Sequence, residues 1–567
     1  MDLVLVGLPG SGKSAVGRRL AARHEAAFVD LDVEIEAAAG MTIPEIFEAE
    51  GEAGFRRRER RAVAALGPPD PGPGLRRVIS PGGGAILDPC NRWTLFRGRV
   101  TAWLDVRPEV LAQRLRRSSN VRPLVHGGDP LMRIRTLAAD RERFYGAAQR
   151  INGVAEVGGV IKAVERLLEA GPATSTTLLR ASTKIGEIVV GEGIAAAAIG
   201  ATLLRLNARR AVIVSEPGAW AAFGEGVATG LRDDGWPVEV VMLPAGEAAK
   251  RLPVIEEAAR DLVRRRVERR DPLIAIGGGA LGDPAGFLAA TYLRGVPWIG
   301  VPTTLVAQVD SSIGGKTGVD LPEGKNLLGA FHQPAAVILD VTALRTLPGR
   351  QLRAALGEIV KMAALGDEPL FATLETDAEA IARGDAAAFA NGAVAEVVER
   401  AAWAKVEVVT ADEREQGATG GRITLNLGHT VAHALEAADG YETLLHGEAV
   451  AYGLRAAVRI GTSLGVTPPA RAARIEGLLD RLDLGRAPLP YPLDAVVAAT
   501  GTDKKHAGGR LRWVLPTGDG VAVRDDVPAE AVEAAVAQIL AGERAQGRAG
   551  ESAAGPTAGP AGTRGRG

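Results

Sequence analysis

The stretch Asn426 to Glu436, NLGHTVAHALE, holds two of the chain's seven histidines. His429 and His433 stand four residues apart, so on a helix they share one face, the spacing that lets two imidazoles serve one metal. The residue after the first histidine is Thr430, where the peptidase pattern H-E-x-x-H needs its general-base glutamate, and that excludes peptidase chemistry. From these residues alone it stays open which histidine holds a metal and what completes the site. With one cysteine, Cys90, further ligands must come from His, Asp and Glu.

Phosphate chemistry is written at the other end. Gly7 to Ser14, GLPGSGKS, fits G-x-x-x-x-G-K-[ST] between an apolar strand-like run and a helix-like one. Gly10, Ser11 and Gly12 would wrap phosphates with backbone N–H groups, Lys13 would reach the terminal phosphates, and the Ser14 hydroxyl would ligate Mg²⁺. Downstream come FVDLD, with Asp30 and Asp32 expected on one side of a strand end, FRRRE with Arg56, the glycine turn SPGGG, VRPL and DRERFY. A third motif, IAIGGGALGD, places Gly277, Gly279 and Gly282 as G-x-G-x-x-G, but the acid that would hold a ribose further on is missing. The stretch VPTTLVAQVDSSIGGKTGVDLPEGKNLLGAFHQP, residues 301–334, is too rich in glycine and polar groups for a core segment: Thr303, Thr304, Asp310, Lys316 and Lys325 suit an anionic ligand.

The elements that position these motifs can be read from periodicity. Short β-branched runs such as DLVLVG, RVTAWLDV, AVIVSE and PLIAIGGG alternate with helical stretches, which predicts α/β architecture; after about residue 350 Ala-rich amphipathic helices dominate. The cluster EAGPATSTT marks a boundary, giving 1–170 as the first domain, 171–177 as linker and 178–541 as the second, with 178–345 α/β and 346–541 mainly helical. The remainder, 542–567, lacks the apolar side chains to offset ordering entropy and is expected to be disordered. A length of 567 residues demands more than one core. Near-balanced charge, 67 basic against 68 acidic residues, gives no support for nucleic-acid or membrane partners and points to small molecules. The single cysteine, the absence of a signal segment and the absence of a long uncharged apolar run predict a soluble, cytoplasmic protein.

Taken in order, the motifs of roughly residues 1–168, including IPEIFEAEGEAGFRRRE, resemble shikimate kinase. The resemblance implies a P-loop domain, a parallel sheet flanked by helices, that uses ATP with Mg²⁺. Asp32, Arg56, Gly83 and Arg141 would then hold shikimate, Asp32 would activate its hydroxyl, and Arg122 would act as a lid arginine over ATP. Guanidinium partners suit a carboxylic-acid substrate. Ala15 departs from the threonine common in relatives, but Ser14 keeps the metal-binding hydroxyl.

Residues 178–541 resemble 3-dehydroquinate synthase through PAGEAAK, GGGALGDPAGFLAATYLRG, the 301–334 stretch, LGEIVKM, ADEREQG, NLGHTVAHALE, LHGEAVAYG and GTDKKHAGG. The resemblance implies two layers, an α/β half that binds NAD⁺ and a helical half that binds metal and substrate. NAD⁺ would contact Glu247, Lys250, Gly279, Ala280, Leu281, Gly282, Asp283, Thr303, Thr304, Lys316 and Lys325, with Ala343, Leu344, Arg345 and Thr346 nearby. Glu358, His429 and His446 would hold Zn²⁺ or Co²⁺. Substrate contacts would be Arg294, Asp310, Lys316, Asn326, Lys361, Lys405, Arg422, Asn426, His433 and one or both of Lys504 and Lys505, with Asp310, Lys316, Lys361, Asn426 and His433 nearest the chemistry. LGEIVKM and LGHT stand where relatives commonly have M-A-E-V-I-K-Y and F-G-H-T, changing packing neighbours only. The whole chain therefore reads as a fusion of two enzymes of chorismate and aromatic amino acid biosynthesis, with a homodimer expected through the synthase. Competing readings are a kinase for another small alcohol, another sugar-phosphate cyclase, a metal-dependent alcohol dehydrogenase, or a catalytically inactive regulatory half.

Overall fold

Among the described residues, five strands of five residues each are buried at every position: Asp2–Val6, Ala211–Ser215, Leu273–Gly277, Trp298–Pro302 and Ala336–Asp340. Strands apolar on both faces belong at the centre of parallel sheets covered by helices, and the computed structural model places them so. It describes all residues except 71, 73, 117–128, 155, 414–420, 502–505, 508–509 and 543–567. Arg122, Lys504, Lys505 and nearly all of the expected tail lie outside the described residues.

The first sheet is fully parallel, in the order Ala27–Asp30, Arg77–Ser80, Asp2–Val6, Val100–Asp105, Gln149–Asn152. The chain leaves the central strand through the glycine loop into the Lys13–Arg23 helix, at the carboxyl end where ligands of such sheets bind. The second sheet runs Thr176–Thr183, Gly186–Glu192, Ala336–Asp340, Trp298–Pro302, Leu273–Gly277, Ala211–Ser215, Val238–Met242, and only its first pair is antiparallel. Thr176 and Thr177, expected in the linker, open this sheet. Beyond Gly349 the described residues are mainly helical, apart from short hairpins at His506–Leu511 and Trp513–Arg524. The α/β class, the P-loop sheet and the helical second half agree with the sequence reading.

One apolar core runs without a break from Phe96 and Tyr145 in the first domain through Leu178 and Leu339 to the helices beyond Gly349. Polar contacts reinforce the junction. Arg92, fully buried, pairs with Glu399 and lies 4.1 Å from the Phe144 ring centroid, and Trp93 Nε1 donates to the Ala390 carbonyl over 3.0 Å. Among the described residues no helix is long and apolar enough to cross a membrane.

Candidate active sites

In the first domain, Lys13 Nζ donates to the Gly7 carbonyl at 2.8 Å, folding the lysine back over its own loop, and the Ser14 hydroxyl donates to Asp30 Oδ2 at 3.1 Å. That contact sets Asp30 beside the proposed Mg²⁺ ligand, a role sequence reasoning did not assign. Asp32 stands in the first turn of the Leu31–Ala39 helix, because the strand ends at Asp30; the two acids are not on one strand face as expected. The SPGGG turn forms the floor. A Cβ on Gly82 would collide with Asp32 Oδ1, one on Gly84 with the Arg56 guanidinium, and one on Gly83 would sit 3.3 Å from Arg141 Nη1. Arg141, 4% exposed, donates to the Gly83 carbonyl. One carboxylate and two guanidiniums thus converge on three consecutive glycines. Gly82→Ala is expected to push Asp32 aside and cut kinase turnover about 10²-fold, the scale of an ångström's misplacement; steady-state kinetics with a melting curve separates this from unfolding.

In the second domain, the loops after Ala211–Ser215 and Leu273–Gly277 open where the strand order reverses. They enclose a cavity of about 450 Å³ lined by Glu216, Gly279, Ala280, Leu281, Thr303 and Thr304 among others. The Gly279–Thr291 helix points its amino end at this space, which suits a pyrophosphate. Gly282, Asp283 and Lys316 line a small adjoining pocket. Lys250 Nζ lies 2.7 Å from Asp283 Oδ2 and 3.3 Å from Asn326 Oδ1, and Lys325 reaches Glu247 at 3.3 Å, so these residues form one edge. Of the run Ala343 to Thr346, Ala343 and Thr346 line the cavity; Leu344 is wholly buried in the core and Arg345 turns to Glu192 at 2.8 Å. The Val341–Thr346 segment is a 3₁₀ helix, so Ala343 and Thr346, three apart, share the cavity face while Leu344 and Arg345 turn away, which a contiguous motif could not reveal.

The metal candidates meet in the helical half. Ligand atoms of Glu358, His429 and His446 all lie within 4.8 Å of one another. Glu358 Oε1 is 2.9 Å from His446 Nε2 and 3.3 Å from His429 Nε2. Close backbone approach makes this possible. A Cβ on Gly357 would strike the Gly447 carbonyl, so the Gly349–Ala364 and His446–Ser463 helices cross in contact beside Glu358 and His446; a Cβ on Gly453 would strike the Gly428 carbonyl, next to His429. Each imidazole has its other nitrogen occupied: His429 Nδ1 meets the Leu427 carbonyl at 3.1 Å and His446 Nδ1 meets Glu436 Oε1 at 3.0 Å. Both Nε2 atoms are thereby aimed at Glu358, as metal ligation requires.

Electrostatics fit a cation. Burial alone would raise the Glu358 carboxyl, but the Lys361 ammonium and His429 outweigh it and hold it well below the carboxylate range. Burial lowers His429. It would lower His446 too, yet hydrogen bonds to Glu358 and Glu436 push that imidazole up to about 10. A proton gripped so firmly stands where a divalent ion would replace it. The chemistry of the donor set, two imidazoles and one wholly buried carboxylate, fits Zn²⁺ or Co²⁺.

Beside the triad lies a ring of buried charge. Lys361 Nζ is 2.7 Å from Glu358 Oε2 and 3.9 Å from Asp310 Oδ1, and Lys405 Nζ is 2.5 Å from Asp310 Oδ1. Arg422, 4% exposed, packs on Gly314 and donates to the Glu413 carbonyl at 2.7 Å. Asn426 stands just before His429 and lines a narrow pocket with Thr430. His433 is exposed one turn beyond His429, ring centroids 5.4 Å apart, and is not part of the ligand cluster. Arg294 is exposed in a turn where both Leu293 and Arg294 take positive φ.

Sequence reasoning missed Glu436. Its signal was available: it lies three residues after His433 and seven after His429, on the same helical face. Asn426 to Glu436 therefore carries one candidate metal ligand, one exposed imidazole and one carboxylate that orients His446.

Comparison with known proteins agrees with the two-part organisation. Residues 9–161 match the shikimate kinase family model, 240–354 that of 3-dehydroquinate synthase N-terminal, and 355–506 that of 3-dehydroquinate synthase C-terminal. A 3-dehydroquinate synthase of Jannaschia sp. (strain CCS1) is 42% identical over 65% of this chain and 100% of its own length. One from Symbiobacterium thermophilum is 44% identical over 61% of this chain and 95% of its own. Among solved structures, 2-epi-5-epi-valiolone synthase of Streptomyces hygroscopicus subsp. jinggangensis 5008, with NAD⁺ and Zn²⁺ bound, is 30% identical with a TM-score of 0.56, covering 62% of this chain and 96% of that one.

Proposed function

The chain belongs to the 3-dehydroquinate synthase family and carries a shikimate kinase domain ahead of it, and from that premise we propose which side chains run each reaction. The kinase half transfers the terminal phosphoryl group of ATP to shikimate. The synthase half converts 3-deoxy-D-arabino-heptulosonate 7-phosphate to 3-dehydroquinate with release of phosphate. The single observation that carries the synthase assignment is the Glu358, His429, His446 cluster set beside the Lys361, Asp310, Lys405 ring. An alcohol dehydrogenase needs a metal and a dinucleotide but has no use for those extra cations. Identity of 42–44% to dehydroquinate synthases against 30% to the valiolone synthase favours the former over another cyclase.

When bound, NAD⁺ supplies a transient oxidation and the metal polarises the reacting oxygens. The chain's own residues do the rest. Lys361, Lys405 and Arg422 hold the phosphate and carboxylate of the substrate; Asp310 keeps both lysines charged and in place; Asn426 orients a hydroxyl. His433, exposed near the ligands, moves the proton to the departing phosphate. Lys250 and Asp283 brace the NAD⁺ edge. In the kinase half, Arg56 and Arg141 fix the shikimate carboxylate over the glycine floor, Asp32 takes the proton of the attacking hydroxyl, and Lys13 draws in the transferring phosphoryl.

Glu436 acts through His446, so Glu436→Gln is expected to weaken metal affinity about 10- to 100-fold, read by competition with a chromogenic chelator, while dehydroquinate formation recovers at high metal concentration. The reading as a whole is tested on the purified full chain by coupled assays for both products with and without chelator. Both activities should be present, and chelation should stop dehydroquinate formation. If either activity is absent with its cofactors supplied, that half of the assignment falls.

A further inference from the structure

Two lysines stand at the dinucleotide edge of the synthase, and they are held in different ways. Lys250 is buried and fixed by hydrogen bonds, its Nζ reaching Asp283 at 2.7 Å and Asn326 at 3.3 Å. Lys325 is partly exposed on the Gly324–Phe331 strand of a two-stranded hairpin and makes an ion pair with Glu247 at 3.3 Å. A lysine's four-carbon stem carries much rotamer freedom, which works against a precise contact to a ligand. Here the ammonium is covered by an aromatic face: Lys325 Nζ stands 4.4 Å from the centroid of the Tyr441 ring. A ring attracts an ammonium through its π face and takes up none of its N–H donors, so it fixes Lys325 while leaving those donors to Glu247 and to a ligand.

Tyr441 comes from the helical half, from the loop between the His429–Ala438 and His446–Ser463 helices that ends on the metal candidate His446. The loop is firmly built. Asp439 Oδ2 accepts from the backbone N–H groups of Glu442, Thr443 and Leu444 at 3.0, 2.7 and 2.9 Å, and its Oδ1 accepts from the Tyr491 hydroxyl at 2.6 Å. Arg350 donates to the Thr443 carbonyl and to Glu448, each at 2.8 Å. Within that frame Tyr441 sits at φ +63°, a left-handed backbone that strains a residue with a Cβ and suits glycine, and it is 47% exposed. Neither backbone preference nor core packing accounts for a tyrosine at this point, whereas its contact with Lys325 does. We propose that Tyr441 is a positioning residue for Lys325: its ring holds the ammonium where it meets NAD⁺, and so joins the metal-bearing half of the synthase to the cofactor edge of the other half. The inference rests on the reading of Lys325 as an NAD⁺ contact given above.

The test is calorimetric titration of the metal-loaded full chain with NAD⁺, on wild type, Tyr441→Phe, Tyr441→Gly, Lys325→Met and the Tyr441→Gly, Lys325→Met double variant. Glycine relieves the positive φ, so Tyr441→Gly should melt close to wild type, yet bind NAD⁺ about fivefold more weakly, the scale of one cation–π contact. Tyr441→Phe keeps the ring and should bind within about twofold of wild type. Lys325→Met should lose about tenfold, the effect of one charged hydrogen bond. Adding Tyr441→Gly to it should change nothing further, because the ring acts through the ammonium. Metal content, measured by mass spectrometry, should stay at the wild-type level throughout. The proposal alone is overturned if Lys325→Met weakens NAD⁺ binding while Tyr441→Gly does not, if Tyr441→Phe binds as weakly as Tyr441→Gly, if the two losses add, or if Tyr441→Gly loses metal. No NAD⁺ binding to wild type, or unchanged binding in Lys325→Met, overturns both the proposal and the assignment of Lys325 to the cofactor. Should Tyr441→Gly fail to fold, Tyr441→Leu takes its place in the same comparisons.

Discussion

His446→Ala will lose dehydroquinate formation by roughly 10³-fold while shikimate phosphorylation stays near wild type. The size follows from polarisation of a reacting oxygen by the metal, worth several kcal/mol, at a tenfold rate change for each ~1.4 kcal/mol. The direction follows from geometry. His446 Nε2 is the nearer imidazole nitrogen to Glu358 Oε1, at 2.9 Å, and its loss leaves only Glu358 and His429 in the cluster. Kinase residues stand on a separate sheet and should not respond. The check is a dehydroquinate assay at saturating NAD⁺ and metal, with metal content measured by mass spectrometry. A variant that keeps a tenth of the wild-type rate and full metal content would remove His446 from the ligand set.

How far a site can be read from sequence depends on how local its chemistry is. The phosphate loop was legible because consecutive backbone N–H groups, one lysine and one hydroxyl must stand in fixed order along the chain. The metal site is not local. Glu358 lies far upstream of His429 and His446, and nothing in spacing joins them; only family resemblance did. What the structure adds is the reason they meet, the glycine contacts Gly357 on Gly447 and Gly428 on Gly453. The glycine of LGEIVKM, Gly357, proves to be a point of helix contact. Asp32 was read onto the end of a strand because FVDLD alternates, but the helix beginning at Leu31 overrode that period. Arg92 with Glu399, and the whole seam between the two enzymes, had no sequence signal because each partner is an ordinary helical residue until the domains pack.

The buried ring suits a substrate that carries two anionic groups. Asp310 and Glu358 balance Lys361 and Lys405, and Arg422 adds a further buried cation, so the protein ring is net positive before a metal arrives. Burial depresses Lys405, although Asp310 opposes this, whereas Glu358 and Asp310 overcome burial at Lys361 and raise it. A divalent ion would make the cluster more positive still, and a neutral sugar would leave that charge uncompensated. Phosphate and carboxylate on one molecule supply the balance, and release of phosphate restores the cationic site for the next substrate.

Asp32→Asn will lower kinase turnover by about 10²- to 10⁴-fold, the contribution of a positioned general base, with little change in KM for ATP and no change in the synthase reaction. Asn keeps the shape and the hydrogen-bonding reach of Asp32 but cannot take the proton of the attacking hydroxyl. The structure separates this role from that of its neighbour: Asp30 receives the Ser14 hydroxyl at 3.1 Å on the metal side, while Asp32 faces the glycine floor shared with Arg56 and Arg141. Asp30→Asn should therefore raise the Mg²⁺ requirement, whereas Asp32→Asn should not be rescued by any Mg²⁺ concentration. Asp32→Glu, which restores the carboxylate on a longer arm, should recover part of the rate. Rates measured across a Mg²⁺ series for the three variants decide it; an Asp32→Asn enzyme retaining more than a tenth of wild-type turnover would return Asp32 to a purely positioning role.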